Sequence, residues 1–141
     1  MSNFHFNYPI EVRYGDLDPQ GHVNNANFMT YFEQARVNYL IQLGLFSKKQ
    51  SFLEVGIILA DAHVTFLAPV LFGMDVRVGV RVTKLGNKSL SMDYRMFDET
   101  TGTQLATAST VLVTFDYHEH TTMPIPETWR EKITAFESLP G

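Results

Sequence analysis

The chain has 141 residues, of which 45% are hydrophobic and 18% are charged, and its formal net charge at pH 7 is −4. This length and composition predict one globular domain over residues 1–141 with a sizeable core, and they argue against a disordered chain. The acidic balance argues against a general nucleic-acid binder. Cysteine is absent, which excludes disulfides, a thiol nucleophile and zinc sites built on cysteine.

The first residues, MSNFHFNYPIEV, have neither the basic start nor the continuous apolar stretch of a secretion signal. Nowhere in the sequence do about 18 apolar residues follow one another, as a membrane-spanning helix requires. We therefore expect a soluble, cytoplasmic protein with no membrane partner and no nucleic-acid partner.

The chain begins with an alternating pattern from Phe4 to Tyr14 that predicts a β-strand, and Pro9 favours an edge position or a bulge near its start. A turn punctuated by glycine and proline follows. Asn24 or Asn25 is suited to cap the helix behind this turn.

A helix is predicted from Asn27 to about Leu43. Apolar residues recur there at steps of three and four, as one face of a helix requires: Phe28, Phe32, Ala35, Tyr39 and Leu43. Gly44 suits the position just after the helix end. Residues 46–54 are expected to form a shorter helical turn or a loop.

After Gly56 the apolar period becomes two, which predicts four strands joined by short turns. These strands cover Ile57 to Phe66, Met74 to Leu85, Ser89 to Phe97 and Gln104 to Phe115. Four strands in succession predict an antiparallel meander. A short terminal helix is expected from Pro126 to Leu139.

One long helix between strand runs, without alternation of strand and helix, predicts an α+β architecture in which the helix packs on one apolar sheet face. Phe28, Phe32 and Tyr39 are expected to supply much of the buried area, at about 1.5 to 3 kcal/mol each. The opposite sheet face is then available to a partner subunit.

The turn before the helix carries three ionisable side chains, Asp16, Asp18 and His22. The first N–H groups of a helix lack intrahelical partners and lie at the positive end of its dipole, so they stabilise a carbonyl oxygen that gains negative charge. This combination predicts that the function resides where the turn meets the helix.

These residues also carry a resemblance to a known family. The order of a strand, the motif D-x-D-P-x-G-H-V-N-N, a helix containing YFE-x-AR and a four-stranded meander resembles the hotdog-fold thioesterases of the 4-hydroxybenzoyl-CoA thioesterase and YbgC-like group. The resemblance covers nearly the whole chain. It implies an acyl-CoA thioesterase with an antiparallel sheet wrapped around one long central helix. It also implies a homodimer with active sites at its interface, often assembled further into a homotetramer.

The resemblance assigns the catalytic carboxylate to Asp18, which lies just before P-x-G. Such a carboxylate either attacks the thioester carbonyl to form an anhydride or deprotonates a water, and both routes stay open. Asn25 matches the position where similar enzymes offer a backbone N–H to the thioester oxygen. Some relatives carry a histidine there, so this chain lacks one acid/base candidate.

His22 matches a histidine of acyl-carrier thioesterases, and its titration range suits acid/base work. The alternative is that it only fixes the turn through backbone hydrogen bonds. For Asp16, accepting backbone N–H bonds and shaping the turn is the preferred interpretation over a role in the chemistry.

The CoA end of the substrate needs partners for its phosphates, and the hairpin VTKLGNKSL offers Lys84, Asn87, Lys88 and Ser89. The alternative is that these lysines are solvated and keep a sheet edge soluble. His63 is a further substrate-binding candidate that could face the site from a neighbouring strand or from the partner protomer. A polar residue satisfied on a half-covered sheet is its alternative role. We expect no metal and no cofactor.

Three functions are consistent with this sequence. The first is hydrolysis of an acyl- or aroyl-CoA thioester. The second is a hotdog dehydratase or hydratase, and the third is an acyl-CoA or acyl-carrier binding module without turnover.

Overall fold

The computed structural model describes residues 4–46 and 55–140. Two helices and six strands follow one another in the order β1 (Phe6–Ile10), α1 (Asn25–Gln42), β2 (Gly56–Phe66), β3 (Val76–Leu85), β4 (Ser89–Asp98), β5 (Gln104–Asp116), β6 (Thr121–Thr122) and α2 (Glu127–Glu137). A single 3-10 turn, Tyr14–Asp16, separates β1 from α1. The loop or helical turn expected at residues 46–54 lies almost entirely outside the described residues.

The strand predicted to run from Phe4 to Tyr14 is shorter than expected. It ends at Ile10, and Tyr14 begins the 3-10 turn. The chain leaves the sheet there because the N–H of Arg13 is taken by the carboxylate of Asp16, 3.0 Å away, instead of by a neighbouring strand.

All strands pair antiparallel in one sheet, in the order β1-β3-β4-β5-β2, with β6 on β5. The meander prediction is confirmed for β3, β4 and β5 and is wrong for β2, which pairs with β5. After β2 the N–H groups of Leu67 and Ala68 continue along β5 by bonding the carbonyl of Leu105. The chain then crosses to the turn before α1, where the carbonyl of Val70 accepts from Val23 at 2.8 Å, before it enters β3.

Helix α1 lies against one face of the sheet and packs chiefly on β1 and β3. Phe28, Phe32 and Tyr39 are fully or almost fully buried, as predicted. The side chain of Asn24 caps the helix by accepting the N–H of Ala26 at 2.9 Å. Gly44 follows the last turn with φ +77°, a conformation that favours glycine.

The sheet has one apolar and one polar face, since side chains alternate along each strand. The buried side chains that face α1 include the valines of β3 and, from β4, Leu90, Met92, Tyr94 and Met96. Strand β2 forms an edge of the sheet and is exposed over most of its length. Within the described residues, neither helix is long and apolar enough to span a membrane.

Candidate active site

A cleft of about 590 Å³ lies between the turn that precedes α1 and the segment that follows β2. All three predicted catalytic residues, Asp18, His22 and Asn25, line this cleft. The remaining lining residues come from the same turn, the first turn of α1 and the end of β2: Gln20, Val23, Asn24, Phe28, Phe66, Leu67, Ala68 and Pro69.

The Asp18 carboxylate is held by the turn itself. Its Oδ1 accepts the backbone N–H of Gln20 at 2.9 Å and that of His22 at 3.4 Å. The backbone of Asp18 is fixed as well, because its N–H donates to the carbonyl of His22 and its carbonyl accepts from Gly21. Gly21 has φ +80°, which this tight reversal requires. Among the described residues Oδ2 has no hydrogen-bond partner, so one carboxylate oxygen remains available to a bound molecule.

The start of α1 presents an unoccupied backbone donor to the same cleft. The side chain of Asn24 takes the N–H of Ala26, and its carbonyl takes the N–H of Asn27 at 2.8 Å. No acceptor in residues 4–46 or 55–140 takes the N–H of Asn25. This amide lies at the positive end of the helix dipole, so it suits an oxygen that carries developing negative charge.

His22 contributes to the turn through its backbone and to the cleft through its side chain. Its backbone exchanges hydrogen bonds with Asp18 and forms an isolated bridge with Leu71. The side chain is partly buried and lines the cleft. The backbone therefore has the turn-fixing role that the sequence suggested, and the imidazole remains available to the site.

Asp16 is buried, with an exposed fraction of 2%, and does not line the cleft. Its carboxylate accepts from the Arg13 guanidinium at 2.9 Å and from the Tyr31 hydroxyl at 2.7 Å. Burial by itself raises the pKa of this carboxyl, but the hydrogen bonds from Arg13 and Tyr31 outweigh it, and the pKa is lowered from its ordinary value. For Tyr31, burial and the bond to Asp16 raise the pKa of the phenol. These contacts agree with the turn-shaping interpretation of Asp16.

The predicted CoA-binding hairpin lies at the other end of the sheet from the cleft. Ser89 is the first residue of β4. Met96, seven residues further along β4, pairs with Ala106 of β5, and Ala106 pairs in turn with Phe66 of β2 at the cleft. At about 3.3 Å per strand residue this separation is roughly 23 Å. Within one chain the hairpin and the cleft do not meet.

The hairpin is held by the segments next to α2. The carbonyl of Asn87 accepts from Ile125 at 2.9 Å and from the Arg130 guanidinium, which also donates to Gly86. The Lys88 ammonium donates to the hydroxyl of Thr122 at 3.2 Å. Lys84 lines a groove of about 720 Å³ between the hairpin and α2.

His63 lies on the polar outer face of the sheet, away from the cleft. It pairs with Ser109 of β5, and both residues line an outer depression of about 480 Å³ together with Arg81 and Arg95. Residues directly opposite each other in an antiparallel pair lie on the same face of the sheet. The buried neighbours of Ser109 along β5, Ala108 and Thr110, face α1, so Ser109 and its partner His63 face the other way. Phe66, in contrast, faces α1 and contacts Phe28 with ring centres 5.0 Å apart.

The sequence reasoning missed two contributions to the site. Leu67, Ala68 and Pro69 form one wall of the cleft, although the stretch between the predicted strands Ile57 to Phe66 and Met74 to Leu85 was expected to be only a short turn. Tyr31 supports Asp16, and nothing in the local sequence pattern distinguished it from a core aromatic of α1. In the described part of the chain, no group of three or more metal-binding side chains is close enough to hold an ion.

Comparison with known families identifies the class of protein. The family model described as the thioesterase-like superfamily matches residues 12–133. The chain belongs to this superfamily. The match includes the turn, α1 and the whole sheet from β2 to β5, and it confirms the predicted hotdog architecture.

Individual relatives agree with this assignment. A crystal structure of a thioesterase from Thermus thermophilus, complexed with coenzyme A and Zn, aligns over 99% of this chain and 100% of that chain, with 36% identity and a TM-score of 0.83. The 1,4-dihydroxy-2-naphthoyl-CoA hydrolase of Thermosynechococcus vestitus is 28% identical over 122 residues, which are 85% of this chain and 82% of that protein. The uncharacterized protein YsmA of Bacillus subtilis is 28% identical over 93 residues, and the match spans 61% of YsmA and 66% of this chain. These similarities support the prediction of an acyl-CoA thioesterase.

Proposed function

We propose that the protein hydrolyses acyl- or aroyl-CoA thioesters to the free acid and CoA in the cleft between the turn and the segment after β2. One observation carries this proposal. The free oxygen of the Asp18 carboxylate and the unpaired N–H of Asn25 belong to the same cleft. A carboxylate and an oxyanion donor are the two groups that acyl transfer needs.

In the proposed reaction the thioester oxygen accepts the N–H of Asn25. Negative charge that develops on this oxygen is stabilised by the amide and by the dipole of α1. Asp18 either attacks the carbonyl carbon or takes a proton from an attacking water, and the CoA thiolate leaves. In the first route water then cleaves the anhydride to the free acid and the Asp18 carboxylate. In the second route the proton that Asp18 takes from water passes to the departing thiolate. Both routes therefore consume one water and return Asp18 as a carboxylate. The side chain of His22 lines the same cleft, so we propose it as the group that assists Asp18 in proton transfer.

The chemistry of the cleft wall supports an apolar acyl group. The residues that line it include four apolar ones: Phe28, Phe66, Leu67 and Pro69. The edge-to-face contact of Phe28 and Phe66 offers aromatic surface to a flat ring as well as to an alkyl chain. The relative in Thermosynechococcus vestitus is named for an aromatic acyl-CoA, which supports including aroyl esters.

A homodimer completes the proposed site. The exposed edge of β2 carries apolar side chains, among them Ile58, Leu59 and Phe66, and an uncovered apolar edge favours pairing with another strand. Two copies of β2 that pair antiparallel about a two-fold axis place the Phe66 end of one copy beside the Ile58 end of the other. Ile58 pairs with Val113 of β5, which pairs in turn with Ser89 at the hairpin. This arrangement therefore brings the hairpin of the partner copy towards the cleft. Lys84 and Lys88 then supply charge for the CoA phosphates, and a homotetramer of two such dimers remains a prediction.

The test is a thiol-release assay with short-chain, medium-chain, long-chain and aromatic CoA esters. Wild-type protein is expected to release CoA from at least one ester, and Asp18→Asn is expected to lower kcat by roughly 10²- to 10⁴-fold. Asp75→Asn is the matched control, because Asp75 is an exposed carboxylate that pairs with Arg77 and does not line the cleft.

Other outcomes would contradict the proposal. Wild-type rates in Asp18→Asn would remove the role of this carboxylate. Tight binding of CoA without thiol release from any ester would indicate a binding module, and turnover confined to enoyl-CoA would indicate a hydratase.

A further inference from the structure

Asp16 connects the turn to α1 through both its side chain and its backbone. The carboxylate accepts the hydroxyl of Tyr31, in the second turn of α1, at 2.7 Å. The backbone carbonyl of Asp16 accepts the N–H of Asn24 at 2.9 Å and the side-chain amide of Asn27 at 3.0 Å. One residue of the turn is therefore hydrogen-bonded to three residues at the start of the helix, Asn24, Asn27 and Tyr31.

The two groups of the proposed site, the Asp18 carboxylate and the Asn25 amide, lie next to residues that take part in these hydrogen bonds. Asp18 follows Asp16 by two residues, and Asn25 follows Asn24 directly. The distance between the Asp18 carboxylate and the Asn25 amide is thus set through Asp16. A rotation of Asp16 would move the turn relative to the helix and change this distance.

Two of the contacts to the Asp16 side chain come from rigid groups, the backbone N–H of Arg13 at 3.0 Å and the hydroxyl of Tyr31. Tyr31 is the one that links this side chain to α1. Its exposed fraction is 4%, and a hydroxyl bonded to a carboxylate at this distance forms a strong, charge-assisted hydrogen bond. The other side-chain partner, Arg13, is 68% exposed and therefore constrains Asp16 less. Tyr31 is absent from the lining of the cleft.

We infer that Tyr31 is a positioning residue, whose hydroxyl holds Asp16 so that the Asp18 carboxylate and the Asn25 amide reach one carbonyl group together. This inference rests on the proposed thioesterase function. Misplacement of reacting groups by about 1 Å costs on the order of 10²-fold in rate. The hydroxyl therefore affects turnover without touching the substrate.

The test compares Tyr31→Phe with Tyr39→Phe. Tyr39 is a matched control, since it is also a buried tyrosine of α1 whose hydroxyl donates to a carboxylate, that of Glu137, at 2.5 Å. Both variants lose one hydrogen bond from a buried tyrosine to a carboxylate, so similar decreases in melting temperature are expected. Only Tyr31→Phe is expected to lower kcat, by about 10- to 100-fold, with KM little changed. Arg13 still binds Asp16 in this variant, which favours a folded protein.

A second readout reports on the geometry itself. Hydrogen exchange at the amide of Asn24 is expected to accelerate in Tyr31→Phe and to stay unchanged in Tyr39→Phe, because this amide bonds the carbonyl of Asp16. Asp16→Asn provides a second variant, with the same expected effects, if Tyr31→Phe does not fold.

The outcomes separate this inference from the proposed function. Failure of wild-type protein to hydrolyse any ester would overturn the proposed function, and amide exchange would still decide whether Tyr31 holds the turn. Wild-type turnover that depends on Asp18 but survives in Tyr31→Phe would overturn the positioning role alone. Equal losses of kcat in the two tyrosine variants would also overturn it, because they would reflect general destabilisation.

Discussion

Asp16 and Asp18 are two residues apart and have opposite environments. Asp16 is buried, and both of its carboxylate oxygens accept hydrogen bonds. Asp18 is partly exposed, and only its Oδ1 accepts backbone N–H groups. The buried carboxylate therefore shapes the turn, while its neighbour keeps an oxygen for a bound molecule.

The environment of Asp16 predicts an acid-dependent contribution to stability. The pKa of this carboxyl is lowered from its ordinary value of 3.8 in the folded protein, because the bonds from Arg13 and Tyr31 outweigh the effect of burial. The unfolded chain therefore binds a proton more readily, and the contribution is complete above the ordinary pKa and is lost as the pH falls through the lower folded value. Asp16→Asn is expected to lower the free energy of unfolding by about 1 to 3 kcal/mol at pH 7.

Urea denaturation of both proteins at pH 7, 5 and 3 measures this contribution. The difference in the free energy of unfolding between wild type and Asp16→Asn is expected to be similar at pH 7 and 5 and smaller at pH 3. A difference that stays constant over the three pH values would show that the charge of Asp16 does not stabilise the fold.

The sequence identified the three polar cleft residues proposed for the chemistry, but not the residues that support them. Asp18, His22 and Asn25 lie within eight consecutive positions, so the local turn pattern was enough to place them together. The partner of Asp16 is Tyr31, fifteen residues away, and only the path of the chain into α1 brings these two side chains together. No local pattern distinguishes such a support from an ordinary core aromatic.

At the scale of elements, local signals placed the helices and strands well. The start of α1 is set by the Asn24 cap and its end by Gly44, and both signals are short-range. Strand β6 has only two residues, too few for a periodic pattern. The pairing of β2 with β5 was not predictable from a short connection, since it depends on the crossing of residues 67–75 to the turn before α1.

The edge position of β2 leads to a prediction about sharing of the site. In a mixed dimer of an Asp18→Asn chain and a Lys84→Ala/Lys88→Ala chain, one of the two sites combines an intact Asp18 with an intact hairpin. Thiol release is expected to return to about one quarter of the wild-type rate after random mixing, because half of the dimers are mixed and each has one complete site.

The control mixes Asp18→Asn with a chain that carries all three substitutions. No mixed dimer then contains a complete site, so no recovery is expected. Activity in the first mixture that does not exceed the sum of its two parents would show that the hairpin and Asp18 act within one chain, or that the hairpin has no role.

At the scale of the whole molecule, the sheet separates two surfaces with different chemistry. The face that packs against α1 holds the apolar core, and the cleft lies at the Phe66 end of the edge strand β2. The outer face carries His63, Arg81 and Arg95, and none of the described residues lines both the outer depression and the cleft. The position of the cleft next to an unpaired strand explains why a second copy of the chain is proposed to complete it.

The central claim is that one carbonyl group contacts Asp18 and the Asn25 amide at the same time. The most direct measurement is a crystal structure of Asp18→Asn with an unhydrolysed CoA ester that the wild type cleaves. The thioester oxygen is expected about 2.7 to 3.1 Å from the N of Asn25, with the acyl carbon about 3 to 3.5 Å from the side chain of residue 18. A thioester bound in the outer depression beside His63, or in the cleft with its oxygen turned away from the start of α1, would contradict the account.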